Sequence, residues 1–289
     1  PDIDPKTHAY ISTGLKENKF GIPIEQALEY YQTAKGLPNV EVVGVHLHIG
    51  SQITEVQPFV DAIQRVVGFV QTLKTAGIDI KYINIGGGLG ITYKDETPPH
   101  PKDLSKAIQP ILRQSGCTLV LEPGRALVGN AGILVTRALY HKDSGEKKFL
   151  IVDAGMNDLI RPSLYEAYHE IKPVVEAASA ARTTVDVVGP ICESGAFLAK
   201  DREIPEVNQG DLLAVMGAGA YGFSMSSNYN SRPRAAAQMP SALVGPGAAA
   251  QDHRVRRRLR GLRHHLQLAA DRPESQEPDA ELPLDAAAL

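Results

Sequence analysis

The sequence predicts an α/β fold followed by a mainly β one: the C-terminal part of a (β/α)8 barrel, then a second, sheet-built domain. Three observations predict it. Amphipathic stretches and apolar, β-branched runs alternate three times between residues 24 and 121, the pattern of βα units with parallel strands. Each of the three runs ends in residues capable of chemistry, as barrel strands do at the face that carries an active site. Beyond residue 130 the alternation gives way to closely spaced strand patterns. Three units are too few to close a barrel, so the sequence is expected to hold only part of one.

In order, residues 1–22 are polar and turn-rich and read as a loop, and the opening Pro1-Asp2-Ile3-Asp4-Pro5 reads as a chain entered partway. Ile24, Ala27, Leu28 and Tyr31 stand at helical spacing, and Gly36 and Pro38 end the pattern. Val40 to Ile49 reads as a buried strand ending in His46-Leu47-His48-Ile49-Gly50-Ser51. Residues 57–75 form an amphipathic helix through Phe59, Ile63, Val66, Val67, Val70 and Leu73. Ile78 to Ile85 is a second strand, running into Gly86-Gly87-Gly88-Leu89-Gly90. A helix over 102–115 follows, then a third strand, Leu119 to Leu121, ending at Glu122-Pro123-Gly124-Arg125. Strands are next expected at Gly132 to His141, Lys148 to Asp153, Thr183 to Val188 and Asp211 to Met216, with one helix over Leu164 to Ala178. The expected organisation is a partial barrel over 1–130, a β domain over 131–234, and a low-complexity tail over 235–289. That tail is rich in Ala, Arg, Pro and Gln, includes Arg256-Arg257-Arg258, and is expected to be disordered.

Composition narrows the function. The 289 residues are 43% hydrophobic with a formal charge of -3, enough for a large core and too acidic for a nucleic-acid binder. No apolar run approaches the roughly 20 residues of a membrane span, so no membrane role is expected. Two cysteines, Cys117 and Cys192, make no disulfide framework and suit a reducing cytoplasm.

Several short motifs carry chemistry. In Glu122 to Arg125 a glycine admits close approach of an anion, a guanidinium can grip phosphate bidentately, and a carboxylate can pair with a basic nitrogen; a turn with a surface ion pair uses the same residues. His46 and His48 share one strand face and read either as an H-x-H metal pair or as a ring-stacking histidine beside Ser51. Gly86 to Gly88 offers backbone N–H groups for an anion nest, or a tight turn. Its spacing is neither a dinucleotide fingerprint nor a P-loop. Cys192-Glu193 reads as a proton donor with a substrate-binding neighbour, or as a half-buried thiol. Tyr221 in Gly217-Ala218-Gly219-Ala220-Tyr221-Gly222 can reach a ligand or pack in the core. Arg161 and Tyr165 lie four apart at a helix start.

Taken in order, these motifs resemble the fold-type III pyridoxal-phosphate decarboxylases, and among them the diaminopimelate decarboxylases. The matching segments are ISTGLKENKFG from Ile11, GVHLHIGSQ from Gly44, NIGGGLG from Asn84, Glu122 to Arg125, DAGMNDLIRPSLY from Asp153, GPICESG from Gly189, and Gly217 to Tyr229. The resemblance covers residues 1–234. It implies decarboxylation of meso-2,6-diaminopimelate to L-lysine and CO2, the last step of lysine biosynthesis, with pyridoxal 5'-phosphate as cofactor and a homodimer sharing its active sites. It further implies that His48 stacks on the cofactor ring and Glu122 pairs with its nitrogen. Ser51, Gly86, Gly87, Gly88, Pro123, Gly124 and Arg125 would hold the phosphate region. Arg125, Arg161, Tyr165 and Glu193 would bind substrate, Tyr221 would touch both ligands, and Cys192 would donate a proton from the partner subunit. No metal is implied.

The sequence also departs from that family. The lysine that bonds the cofactor has no match: no strand-end lysine fits its motif, Lys16 and Lys19 fall inside another matched segment, and Lys200 fits no such position; it is expected upstream, and the chain alone is expected to be inactive. Ala196 stands where aspartate is common. Past Arg234 the resemblance stops, and an out-of-frame ending is expected. Competing readings are a related decarboxylase with another cationic substrate, a metal-dependent barrel hydrolase using His46 and His48, and a non-catalytic cofactor-binding regulator.

Overall fold

A computed structural model describes residues 3–4, 7, 11–14, 19–175 and 181–237. They lie in the first of two compact units, Pro1–Ala248; the second, Ala249–Leu289, falls outside the described residues. Also outside them are Lys16, the end of the expected helix at 176–178, and the tail from 238 onward, including its basic run.

The first half is three βα units. Helix α1 (Ile24–Gly36) precedes β1 (Gly44–His46), α2 (Gln57–Thr75), β2 (Tyr82–Asn84), α3 (Pro101–Arg113) and β3 (Thr118–Val120). The strands pair in parallel in the order β1-β2-β3, with Val45, Ile83 and Leu119 in register. Helix α2 buries Phe59, Ala62, Ile63, Val66, Val67, Val70 and Leu73, one stripe at helical period. Helix α3 begins with Pro101 in the first turn, and the His100 Nδ1 caps it by accepting from Lys102 N–H at 3.1 Å. These helices cover one face of the sheet, over Val45, Leu47, Ile83 and Ile85. The other face, with His46, Tyr82 and Val120, is exposed.

The strands are shorter than the apolar runs predicted, because ladder pairing gives way to loops that bond across strand ends. Leu47 N–H still donates to Asn84 C=O at 2.9 Å and Ile85 N–H to Val120 C=O at 3.1 Å. A short helix, α4 (Gly124–Val128), follows β3.

The second sheet has six strands: β4 (Leu134–Asp143), β5 (Lys148–Val152), β6 (Ile171–Pro173), β7 (Arg182–Val188), β8 (Phe197–Pro205) and β9 (Leu212–Val215), ordered β6-β9-β4-β5-β7-β8. All pairs are antiparallel except β5 with β7. Leu150, Val152, Val185, Val187, Leu198 and Leu213 fill its core.

Two expectations fail here. The helix over Leu164 to Ala178 is only α5 (Arg161–Tyr165): Glu166 turns left-handed at φ 53°, and Ile171 then pairs with Val215 as strand. The spaced apolar residues there imitate a helical period, while Pro173 is tolerated because β6 is an edge strand. Strand β8 escaped notice because Lys200-Asp201-Arg202-Glu203 interrupts its apolar pattern, a common composition for an edge strand. No helix among the described residues is long and apolar enough to cross a membrane.

Candidate active site

Two clusters of polar side chains form at and beyond the barrel strand ends. The first is half-exposed. Asn84, the last residue of β2, donates from Nδ2 to Glu122 Oε1 at 2.7 Å and accepts from Gly86 N–H at 2.8 Å. His46 Nε2 lies 3.6 Å from the same carboxylate oxygen, with 57% and 54% of the two side chains exposed. Gly87 N–H donates to His48 Nδ1 at 3.3 Å. Burial pushes the His48 pKa down, against the opposing charge of Glu122. A neutral ring that accepts at Nδ1 carries its proton on Nε2.

Gly86 is required: its φ is 68°, and a Cβ there would stand 2.7 Å from His48 Nδ1. Gly88, at φ 101°, lies against Gly50 C=O, where a Cβ would come within 2.6 Å. The glycine run is thus a tight turn as well as a candidate ligand wall. The expected nest of bare N–H groups is corrected at two of its three positions, since those of Gly86 and Gly87 are already bonded to Asn84 and His48. Gln52 fastens the loops together, donating to Ile91 C=O at 2.6 Å and accepting from Ile91 N–H at 3.1 Å.

The second cluster is buried and cationic. Helix α4 reverses the usual pattern, burying Arg125 at 7% exposure while Leu127 is 71% exposed. Arg125 Nη2 donates to Ser51 Oγ at 2.9 Å and Nη1 to Tyr93 Oη at 2.5 Å. The Tyr221 ring lies 4.7 Å from its guanidinium, and Tyr221 sits at φ 61°, a strained region for a bulky residue. Arg125 Nε is buried with no hydrogen-bond partner.

Arg161, 5% exposed, stacks over Tyr93 at 4.5 Å and donates from Nη1 to His169 Nε2 at 2.8 Å. His169 is fully buried, and its Nδ1–H donates to Met216 C=O at 2.8 Å. Burial first, then the charges of Arg161, Arg202 and Arg125, push its pKa down to about 4, against the Met216 bond. Burial also lowers the Arg161 pKa, as does Arg125, while Tyr93 and Tyr165 oppose the shift. Among the described residues no carboxylate forms an ion pair with Arg125 or Arg161. Two buried like charges without a counterion are costly, and an orphaned guanidinium nitrogen beside a serine hydroxyl fits an anionic ligand.

A third group lies on the loop before β8. Cys192 is exposed and free. Glu193 Oε2 accepts from Tyr229 Oη at 2.6 Å, and Ser163 of α5 donates to Gly195 C=O at 2.5 Å. The described contacts of this loop do not reach Arg125, Glu122 or His48. Pro123 precedes α4 and accepts from Leu127 N–H at 3.1 Å, and a Cβ on Gly124 would meet open space.

The structure therefore brings together Ser51, Arg125, Arg161 and Tyr221, and separately His48, Gly86, Gly87 and Glu122. It adds Asn84, Tyr93, His169 and Tyr229, which sequence reasoning did not select. His169 falls inside the helix expected over Leu164 to Ala178, where nothing singled it out; Tyr93, three residues past the glycine run, carried only an aromatic signal. His46 and His48 take different partners, and no group of three His, Cys, Asp or Glu suited to a metal occurs among the described residues.

Two buried arginines without an ion-paired carboxylate among the described residues, a glycine turn at a parallel strand end and a half-exposed carboxylate oriented by Asn84 suit a ligand with an anionic end and a basic nitrogen. Residues 1–129 match the pyridoxal binding domain of the pyridoxal-dependent decarboxylases, and this part of the chain belongs to that family. Within it, the chain is 55% identical over 237 residues to the diaminopimelate decarboxylase of Aquifex aeolicus, covering 82% of this chain and 56% of that one. It is 53% identical over 258 residues to that of Pseudomonas aeruginosa, covering 89% and 60%. The crystal structure of the Helicobacter pylori diaminopimelate decarboxylase complexed with L-lysine superposes with a TM-score of 0.77 at 45% identity, over 81% of this chain and 58% of that one. The chain thus spans little more than half the length of these relatives. The expected fold, part of a (β/α)8 barrel followed by a mainly β domain, is that of these neighbours.

Proposed function

We propose that the protein, at its relatives' full length, decarboxylates meso-2,6-diaminopimelate to L-lysine and CO2. The observation that carries this reading is the buried, uncompensated Arg125–Arg161 pair, together with identity above 50% to two diaminopimelate decarboxylases. A substrate with an amino-acid group at each end needs a receptor for the far carboxylate, which a decarboxylase of simple diamino acids does not.

Pyridoxal phosphate, when bound, supplies the electron sink for the pair left on Cα as CO2 departs. Glu122, oriented by Asn84, holds a proton on the ring nitrogen, because an opposite charge favours the protonated form. His48, neutral, stacks on the ring. Ser51, Gly88, Gly124 and Arg125 hold the phosphate end, with Pro123 and the Gly86-Gly87 turn shaping that wall. Arg125, Arg161 and Tyr165 take the far carboxylate, Glu193 the far ammonium, and Tyr221 lies between the two ligands. Cys192 delivers the proton to Cα from the partner subunit of a homodimer, which fits a thiol that is exposed in the single chain. The residues divide into a barrel part, 1–130, a β part, 131–234, and a tail, 235–289, and the enzyme works in the cytoplasm.

The test is CO2 release from meso-diaminopimelate by the full-length protein and its Cys192→Ala variant. The expected result is activity in the parent and a loss of about a hundredfold in the variant, with cofactor absorbance intact in both. An inactive, cofactor-loaded parent contradicts the reaction. An unimpaired variant contradicts the role of Cys192.

A further inference from the structure

Tyr93 has no role in the scheme above, yet it is where the two buried arginines meet. Its phenol oxygen accepts from Arg125 Nη1 at 2.5 Å. The Arg161 guanidinium lies 4.5 Å from its ring centroid and that of Arg125 5.7 Å. His169 packs edge-on against the same ring at 5.3 Å and accepts from Arg161 Nη1 at 2.8 Å. Arg125 is held by Ser51, Tyr221 and Tyr93 and Arg161 by His169 and Tyr93, so Tyr93 is the support common to both. Like charges this deeply buried repel strongly. The electron-rich ring face and the phenol oxygen are the groups that stand against that repulsion.

We propose that Tyr93 is a specificity-determining positioning residue: it fixes Arg125 and Arg161 as one two-pronged receptor for the carboxylate at the far end of an amino-acid substrate. His169 sets the second prong. The proposal rests on the assignment of those arginines to substrate, and it adds the residue that gives them a common geometry. The ring alone cannot do this, because the hydroxyl is the Tyr93 atom that bonds Arg125, beside the bond from Arg125 to Ser51. Tyr93→Phe keeps the stacking surface under Arg161 and removes only that acceptor, so it separates positioning from packing.

The test is equilibrium calorimetry on the full-length, cofactor-loaded protein with two probes. L-Lysine keeps a carboxylate beside one ammonium; cadaverine is the same chain without it. In Tyr93→Phe, L-lysine should bind about tenfold more weakly, the cost of one charge-assisted hydrogen bond, while cadaverine affinity stays within about twofold of the parent. Unchanged L-lysine affinity overturns the proposal. An equal loss for both probes also overturns it, since that marks a general structural role. If the parent itself binds both probes equally, the assignment of the arginines to a carboxylate fails before any variant is made, and the role of Tyr93 falls with it.

Discussion

The two polar clusters of this protein solve opposite problems. At the strand ends, Asn84 hydrogen-bonds to Glu122, His46 lies 3.6 Å from the same carboxylate, and more than half of the His46 and Glu122 side chains is exposed. Solvent screens them, and they need nothing further. Arg125 and Arg161 are nearly inaccessible, carry the same charge, and among the described residues bond to the hydroxyls of Ser51 and Tyr93 and to a neutral histidine and stack on aromatic rings, with no ion-paired carboxylate. A fold gains little from such a pair. The difference marks where a bound anion would offset buried charge, at Arg125 and Arg161, and where a half-exposed carboxylate, Glu122, is already oriented by Asn84.

That contrast can be broken by substitution. The largest effect is expected at Arg161→Met, which keeps much of the volume and removes one buried charge. In the full-length enzyme kcat/KM for meso-diaminopimelate should fall by roughly 10²–10³-fold, as for truncation of one partner of a buried charge pair; a loss below about fivefold would leave Arg161 without a binding role.

Next comes His169. Its folded pKa of about 4 lies below the ordinary histidine value, so between those values the unfolded chain binds a proton that the folded protein refuses. Stability is therefore lost as pH falls from about 6.5 towards 4, by on the order of 3 kcal/mol for this group. Urea unfolding at pH 7 and pH 4.5 should show that loss shrink in His169→Gln. Identical pH dependence in parent and variant would mean that His169 is not held neutral.

A smaller effect sharpens the other side of the contrast. Gly86→Ala forces a Cβ against His48 at a left-handed position, and should cost about 1–3 kcal/mol. It should disturb the cofactor absorbance while leaving L-lysine affinity at the arginines near the parent value. A matching loss of L-lysine affinity would show that the two clusters are not separable.

Much of this was legible in the sequence, for reasons that differ by region. The βα rhythm of residues 24–121 was visible because parallel strands and their helices bury continuous apolar faces, as α2 does. The residues expected at the site fall into two separate clusters at strand ends and loops, around Arg125 and around Glu122, with Cys192 and Glu193 apart from both. Strand β8 and the short α5 were misread, since an edge strand tolerates charge and since spaced apolar residues mimic a helix where Pro162 and Glu166 confine it to five residues. Tyr93, Asn84 and His169 were missed for a different reason. They act on other groups, and nothing local in a sequence marks a residue whose partner lies 32, 38 or 47 positions away. The inverted burial in α4, arginine inside and leucine outside, could have been suspected only once the helix face was known.

The most direct measurement of the central claim is the melting temperature of the full-length protein and of Arg161→Met, each without substrate or product. If the buried arginines are kept for a ligand, removing one charge relieves an unpaired cost, and the variant should melt no lower than the parent. A fall of several degrees would contradict this, because it would mean that the guanidinium holds the fold together and that its burial needs no anion to explain it.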